Sequence, residues 1–283
     1  MPMQPIVSAA ALLLAVIGWA VAPTGAVAQP WAGLANPQIE IAYVEPRNAN
    51  FRPIYERLRQ RQVLEELRAF LSPLKLPRKL QVRVDECGGI AAPFSAGGPV
   101  VICYEYVEQI ERLAPRERRP LGPNWLTRES ALVGAFVQIM LHDVAEAVME
   151  ILEIPVWGRE DDAADRVAAY IMVQFGKDVA WRTIMGTAWF LDAGGAGTIS
   201  PSDVRSPTTQ RFYNYLCIAY GADPKTYEFL IKAELLPERR ARRCRVEYAK
   251  FAFAFGETML KYVDMDLLKR VQATEWVKPD DGK

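Results

Sequence analysis

Apolar positions recur at three- and four-residue steps over much of the chain and at two-residue steps only briefly. Leu58, Val63, Leu64, Leu67, Phe70 and Leu71 mark a helix over residues 51–74, ended by Pro73 and Pro77. Leu80–Asp85 alternates apolar and polar side chains, as a half-buried strand does. Residues 100–106 form a second strand, and Cys87-Gly88-Gly89 and Ala96-Gly97-Gly98 between them are turn chemistry. The two strands are expected to pair as an antiparallel hairpin with an irregular connection, and residues 39–44 offer one more short strand. A charged, Pro-rich loop over 116–124 leads to Thr127, a helix N-cap with Ser130 three positions on. One long apolar helix then runs over 131–152. Ile154-Pro155-Val156-Trp157-Gly158 breaks it, and a second helix follows over about 160–175, with acidic residues in its first turn where the helix dipole favours them. After a loop over 198–209, the remainder is helical at 210–220, 224–233 and 237–268. The pattern describes an α+β chain, mostly helical, with a small antiparallel sheet and one long central helix.

That long helix carries the only histidine in the sequence, His142, followed by Asp143 and Glu146. Residue i+4 lies about 6 Å along the same helix face, so Glu146 points with His142 while Asp143 lies beside both. Such spacing is a standard way to hold two metal ligands on one wall. A third must come from elsewhere, and the next helix offers Glu160, Asp161, Asp162 and Asp165. The plain alternative is a half-buried histidine satisfied by hydrogen bonds.

Composition narrows the partners. Lysine and arginine balance aspartate and glutamate at zero net charge, so no field points to nucleic acid or an anionic membrane as the main partner. Residues 1–28 carry no charged side chain, 6–22 are nearly all apolar, and Ala26-Val27-Ala28 precedes Gln29 as a small-residue cleavage pattern. A secretory signal cleaved near Ala28 is the reading, leaving 29–283 as a single domain; an uncleaved anchor is the alternative. No second stretch reaches the uncharged length of a membrane span, so no membrane contact is expected beyond the signal. Four cysteines fit an exported protein and allow three pairings. Sequence order suggests Cys87 with Cys103 and Cys217 with Cys244, each worth about 3 kcal/mol. A four-cysteine zinc site is the rival, weakened by the absence of CxxC spacing. Arg239, Arg240, Arg242, Arg243 and Arg245 cluster late in the chain and suit either an acidic or phospholipid partner or a solvated helix face. Trp157 and Trp189 read as core or rim packing.

The motifs then converge on a family. Ile139 to Ala147, with His142-Asp143-Val144-Ala145-Glu146 at its centre, and Ile154 to Asp165, with Gly158-Arg159-Glu160-Asp161-Asp162, resemble a bacterial family of zincin-like metallopeptidases that reads HExxH and then PxxGREED-AAD. Cys103-Tyr104-Glu105 resembles its CYE strand. Gln210-Arg211-Phe212-Tyr213-Asn214 to Cys217, Tyr220 to Pro224, and Leu236-Pro237 to Cys244 resemble its later segments, so the likeness covers most of the mature chain.

By that resemblance His142 matches the first zinc histidine, and Asp143 falls where the family has its general-base glutamate. Glu146 falls at the second zinc histidine, Asp161 at the third-ligand glutamate and Asp165 at the aspartate that orients the first histidine. A histidine that the family often carries before the QR segment is replaced by Asp203-Val204-Arg205. The resemblance therefore implies a periplasmic metallopeptidase fold with His142, Glu146 and Asp161 holding zinc or another divalent cation, and Asp143 as base. Tyr104, Glu105 and Tyr106 suit either a cleft for a peptide or protein or an ordinary strand with one polar face, and Arg211 and Asn214 suit a substrate contact and a structural polar contact equally. Asp143 is one methylene shorter than glutamate, about 1.5 Å of lost reach, and a misplacement near 1 Å can cost about a hundredfold in rate. Two rival outcomes follow: an inactive descendant that binds peptides through the old cleft, or a secreted domain whose carboxylates hold a hard cation such as calcium.

Overall fold

The structure is a computed structural model that describes residues 30–276, apart from 32, 90–96, 196–199, 201, 204 and 275. The expected signal segment, 1–28, lies outside the described residues. Strand β1 (Ile39–Tyr43) leads through a crossover of two helices, α1 (Arg52–Gln60) and α2 (Val63–Phe70), to β2 (Leu80–Asp85). The one helix expected over 51–74 is interrupted where Gln62 takes left-handed backbone, φ 54°. β3 (Val100–Cys103) completes a three-stranded sheet in the order β1-β2-β3, and both pairings are parallel.

The parallel pairing of β2 with β3 corrects the expected hairpin. Its register sets Asp85 opposite Cys103, so Cys87, just past the end of β2, reaches Cys103 and forms a disulfide. In a hairpin closed by residues 86–99, Cys103 would lie roughly four residues, about 13 Å, from that end. That is beyond the reach of a disulfide. Alternation in Leu80–Asp85 marks a half-buried strand but does not choose its partner's direction. Tyr104 to Tyr106 are not strand either, because α3 (Tyr104–Leu113) begins directly after Cys103. Where a loop was expected, β4 (Arg119–Leu121) and β5 (Asn124–Leu126) form a two-stranded antiparallel ribbon.

The rest is helical. In α4 (Arg128–Ile151) the Thr127 hydroxyl caps the first turn, accepting from the Ser130 amide at 3.0 Å. Helix α4 is long and apolar enough to cross a membrane, but it lies mostly buried inside this fold. It ends where Glu153 turns left-handed (φ 52°) and the Ile154 amide returns to the Met149 carbonyl at 2.8 Å. Gly158, at φ 119°, then reverses the chain with backbone that only glycine adopts readily. α5 (Glu160–Met172) returns against α4, and α6 (Lys177–Asp192) follows. Trp157, in the turn, is 98% exposed, contrary to the expected packing; Trp189 is half-buried and donates to the Leu113 carbonyl.

Sequence periodicity does not reveal α6, and the reason is its burial. Trp181, Ile184, Met185 and Phe190 are buried on several sides, so no single apolar stripe stands out. It presses directly on α4 at paired glycines: a Cβ on Gly186 would come within 2.0 Å of the Ser130 carbonyl oxygen, and one on Gly134 within 2.6 Å of that of Thr183. The Thr187 hydroxyl donates across this contact to the Gly134 carbonyl at 3.0 Å. This fixes α4 on one side and leaves its polar face to α5. α7 (Thr208–Ala222), the short α8 (Phe229–Lys232), α9 (Glu238–Met259) and α10 (Met265–Gln272) complete the chain. The Cys217–Cys244 disulfide ties α7 to α9, as sequence order suggested. Among the described residues the fold is therefore mostly helical, with one parallel and one antiparallel small sheet.

Candidate metal centre

Three helices each contribute residues spaced four apart to one polar layer: Gln138, His142 and Glu146 from α4, Asp161 and Asp165 from α5, and Arg211 and Tyr215 from α7. Asp165 is its hub. Its Oδ1 accepts from His142 Nδ1 and Arg211 Nη2, both at 2.9 Å, from the Tyr215 hydroxyl at 3.0 Å and from Gln138 Nε2 at 3.3 Å. Its Oδ2 accepts from Arg211 Nε at 2.6 Å, so the guanidinium grips it at both oxygens. Burial alone would raise the Asp165 carboxyl; the charges of Arg211 and His142 outweigh it and hold the group well below the usual range.

With Nδ1 on Asp165, the His142 ring turns Nε2 toward Glu146 Oε1 at 3.5 Å and Asp161 Oδ1 at 3.6 Å. Burial would lower this imidazole, but Asp165, Asp161 and Glu146 override it and hold it well above its ordinary value. Each of His142, Glu146 and Asp161 offers a ligand atom within 4.8 Å of the others. Ligands about 2.1 Å from a tetrahedral ion sit roughly 3.4 Å apart, so the two histidine distances match a shared cation. A carboxylate that fixes the imidazole tautomer from behind is the usual companion of a histidine ligand. Asp161 sits in the first turn of α5, where the helix dipole favours its charge.

The charges fit a divalent ion as well. Once an ion has displaced the protons of His142 and Asp143, the four carboxylates Asp143, Glu146, Asp161 and Asp165 face Arg205 and Arg211, leaving two net negative charges for it. Asp143 is half-buried beside His142. Burial pushes its carboxyl up to about 7, with His142 pulling it down and Glu146 pushing it further up. Arg205, itself half-exposed, contacts Asp161 Oδ1 through Nε at 3.0 Å. Its neighbour Ser206 is buried, donating to Asp162 Oδ2 at 2.8 Å and accepting from Arg159 at 3.3 Å. The segment before α7 is thus pinned across the start of α5.

The expected cleft residues are placed differently. Tyr104 is fully buried and donates to the Val44 carbonyl at 2.6 Å, so it lines no cleft. Glu105 accepts from the Cys87 and Gly88 amides, closing the turn after β2. Arg211 is consumed by Asp165 rather than presented to a substrate. Asn214 is half-buried on α7. A second grouping of possible ligands, Cys87, Cys103 and Glu105, has its sulfurs bonded to each other. Gln138, Tyr215 and Arg205 were not anticipated. Gln138 carried a signal, being a polar residue in an apolar run four positions before His142; Tyr215 stands four after Arg211 in the same way.

A histidine backed by a buried carboxylate and facing two more across a ligand-sized gap defines a helical protein with a histidine–carboxylate metal centre as its candidate site. The chain belongs to the family described as "Putative metallopeptidase", whose model matches residues 43–258, a span that contains every residue of this layer. No curated protein and no solved structure matches the chain.

Proposed function

We propose that this protein is an exported peptidase of zincin-like type, holding one divalent cation between His142 Nε2, Glu146 and Asp161 and cleaving peptide bonds slowly. The observation that carries this reading is the two-sided use of His142: Nδ1 on Asp165, Nε2 turned to two carboxylates at 3.5 and 3.6 Å. Family membership supports it. The two disulfides fit an oxidising compartment, which agrees with export.

When bound, the cation supplies Lewis acidity toward a water or a carbonyl oxygen. Asp143 provides the adjacent carboxylate able to hold a proton, with a shorter reach than glutamate. Two carboxylates and one imidazole make a harder donor set than the usual zinc ligands, so manganese, magnesium or calcium compete with zinc. A second reading, a binding module without catalysis, is favoured by one observation: the Arg205 guanidinium already engages the Asp161 oxygen that faces His142.

Metal content of protein purified without a histidine tag, with melting measured with and without chelator, tests the reading. One divalent ion per chain and a chelator-sensitive melting temperature are expected. Absence of both removes the metal reading. Given metal, peptide hydrolysis by wild type against Asp143→Asn separates the two readings: hydrolysis lost in the variant supports catalysis, and none in either supports the binding module.

A further inference from the structure

We propose that the outer face of α9 docks on an anionic lipid surface. The expectation from sequence was no membrane contact beyond the signal, and the arginine cluster suited a solvated face equally well. The structure adds what the arginines sit beside. Val246 is 57% exposed, Phe253 70% and Leu260, just past the helix, 54%. With Ala249, Val246 and Phe253 follow steps of three and four residues along the helix; Leu260 lies seven beyond Phe253, with the exposed Glu257 between them.

Cations border this stripe. Arg242, Arg245 and Lys250 line a shallow groove with Val246, Ala249 and Phe253, and no acidic side chain lines it. In a chain of zero net charge, this is a local excess of positive charge around exposed apolar groups. Arg242 bonds Glu238 at 2.9 Å, with both side chains largely exposed, a weak pair that an anionic surface can replace. The opposite face is anchored: the disulfide from Cys244 holds it to α7, and a Cβ on Gly221 would lie 2.4 Å from the Cys244 carbonyl oxygen. The stripe is therefore presented on a fixed helix rather than ordered on binding.

Charge complementarity selects the occupant. A second copy would bring the same cations against these, and so is disfavoured. An acidic protein would meet the charge, but the groove is shallow and its six lining residues all stand on one helix, few against the 20–30 per side, roughly, of a specific protein interface. A bilayer interface accepts a convex apolar strip flanked by lysine and arginine, whose stems lie along the surface while their heads meet phosphate.

The test is vesicle flotation of the purified protein with phosphatidylglycerol–phosphatidylcholine vesicles, against pure phosphatidylcholine, at low and high salt. Binding to the anionic vesicles alone is expected, weakened by salt. Combined Arg242→Glu, Arg245→Glu and Lys250→Glu should reduce partitioning by more than about tenfold, and Phe253→Ser alone by about tenfold, with circular dichroism unchanged. Because Phe253 is mostly exposed, its variant keeps the fold. No binding to anionic vesicles overturns the proposal, as does equal binding to phosphatidylcholine. Binding that survives Phe253→Ser also overturns it, as does self-association abolished by that change without vesicle binding. Stronger capture of a polyglutamate peptide than of vesicles would point to an acidic protein instead.

Discussion

Two halves of one polar layer meet at His142 and are built on opposite terms. Behind the ring, Asp165 is buried and meets donors from two other helices, with Arg211 supplying the matching charge. In front of it, Glu146 and Asp161 are partly exposed and face the ring without a short hydrogen bond, and a half-exposed guanidinium engages Asp161 alone. The rear half is closed: every charge has its partner and no ligand is needed. In the front half the carboxylates are balanced only by protons on His142 and Asp143 and by Arg205, and a cation can take the place of those protons. A balance held by exchangeable protons is one that a metal ion can take over, and this contrast separates the structural part of the layer from the functional part.

The rear half gives the largest expected effect. Asp165→Ala leaves the Arg211 guanidinium buried without its partner, a change that costs about 3–5 kcal/mol. Denaturant unfolding should show this loss without metal, and somewhat more with metal, because His142 also loses the carboxylate that fixes its tautomer. A loss seen only with metal present would move Asp165 into the front half and break the distinction. The front half should respond next in size, and only to metal. An ion at a hundred times its dissociation constant contributes about 2.7 kcal/mol, about 5–10 °C in melting temperature for a chain of this length. Glu146→Gln should abolish that gain while changing the metal-free protein by less than about 1 kcal/mol. If Glu146→Gln retains full metal stabilisation, Glu146 is not a ligand.

The front half was the more legible of the two in the sequence. His142 and Glu146 lie four apart on one helix, and Asp161 and Asp165 four apart on the next, so helical geometry alone puts each pair on one face. The rear half depends on distant packing. Arg211 and Tyr215 reach Asp165 only because α7 lies against α5, and no local pattern encodes that meeting. For the same reason Arg211 reads from sequence equally as a substrate contact or a structural polar contact, and the structure shows the second. The fold divides likewise. Amphipathic helices and the capped start of α4 are local and readable. The buried α6 has no polar face to give it away, and the direction of strand pairing is set by contacts across sequence. One local clue did bear on it: Cys87 and Cys103 can bond only if β2 and β3 run parallel, so the disulfide expectation already contradicted the hairpin expectation.

Acidity sharpens the contrast through opposite slopes. Asp165 has a depressed carboxyl, so its contribution is present above the ordinary aspartate range and is lost as pH falls through that range and below. Asp143 is the reverse: with its carboxyl raised to about 7, the metal-free fold prefers it protonated and loses stability as pH rises from about 4 to about 7. His142, also raised, contributes below its ordinary value and loses that contribution as pH climbs through its higher folded value. Melting in chelator should therefore be highest in mildly acidic solution and fall toward pH 8. Asp143→Asn should flatten part of the fall. With saturating metal the alkaline slope should reverse, because the ion takes the place of those protons. An unchanged slope on adding metal would disconnect the front half from cation binding.

The smallest effect tests the comparison most closely, because it sets two pairs of the same chemistry side by side. Arg211 and Asp165 meet at 2.6 Å under deep burial; Arg205 and Asp161 meet at 3.0 Å with the arginine side chain 45% exposed. Solvent screening leaves the second pair worth under about 1 kcal/mol, so Arg205→Ala should scarcely move the melting temperature of the metal-free protein. Its consequence should appear in metal affinity. The guanidinium and a cation both draw on Asp161 Oδ1, and removing the former relieves that competition, raising affinity by up to about fivefold for a difference near 1 kcal/mol. Titration calorimetry on wild type and variant measures this directly. A fall in affinity would show that Arg205 instead holds Asp161 in its ligand position, which would make the front half as prearranged as the rear.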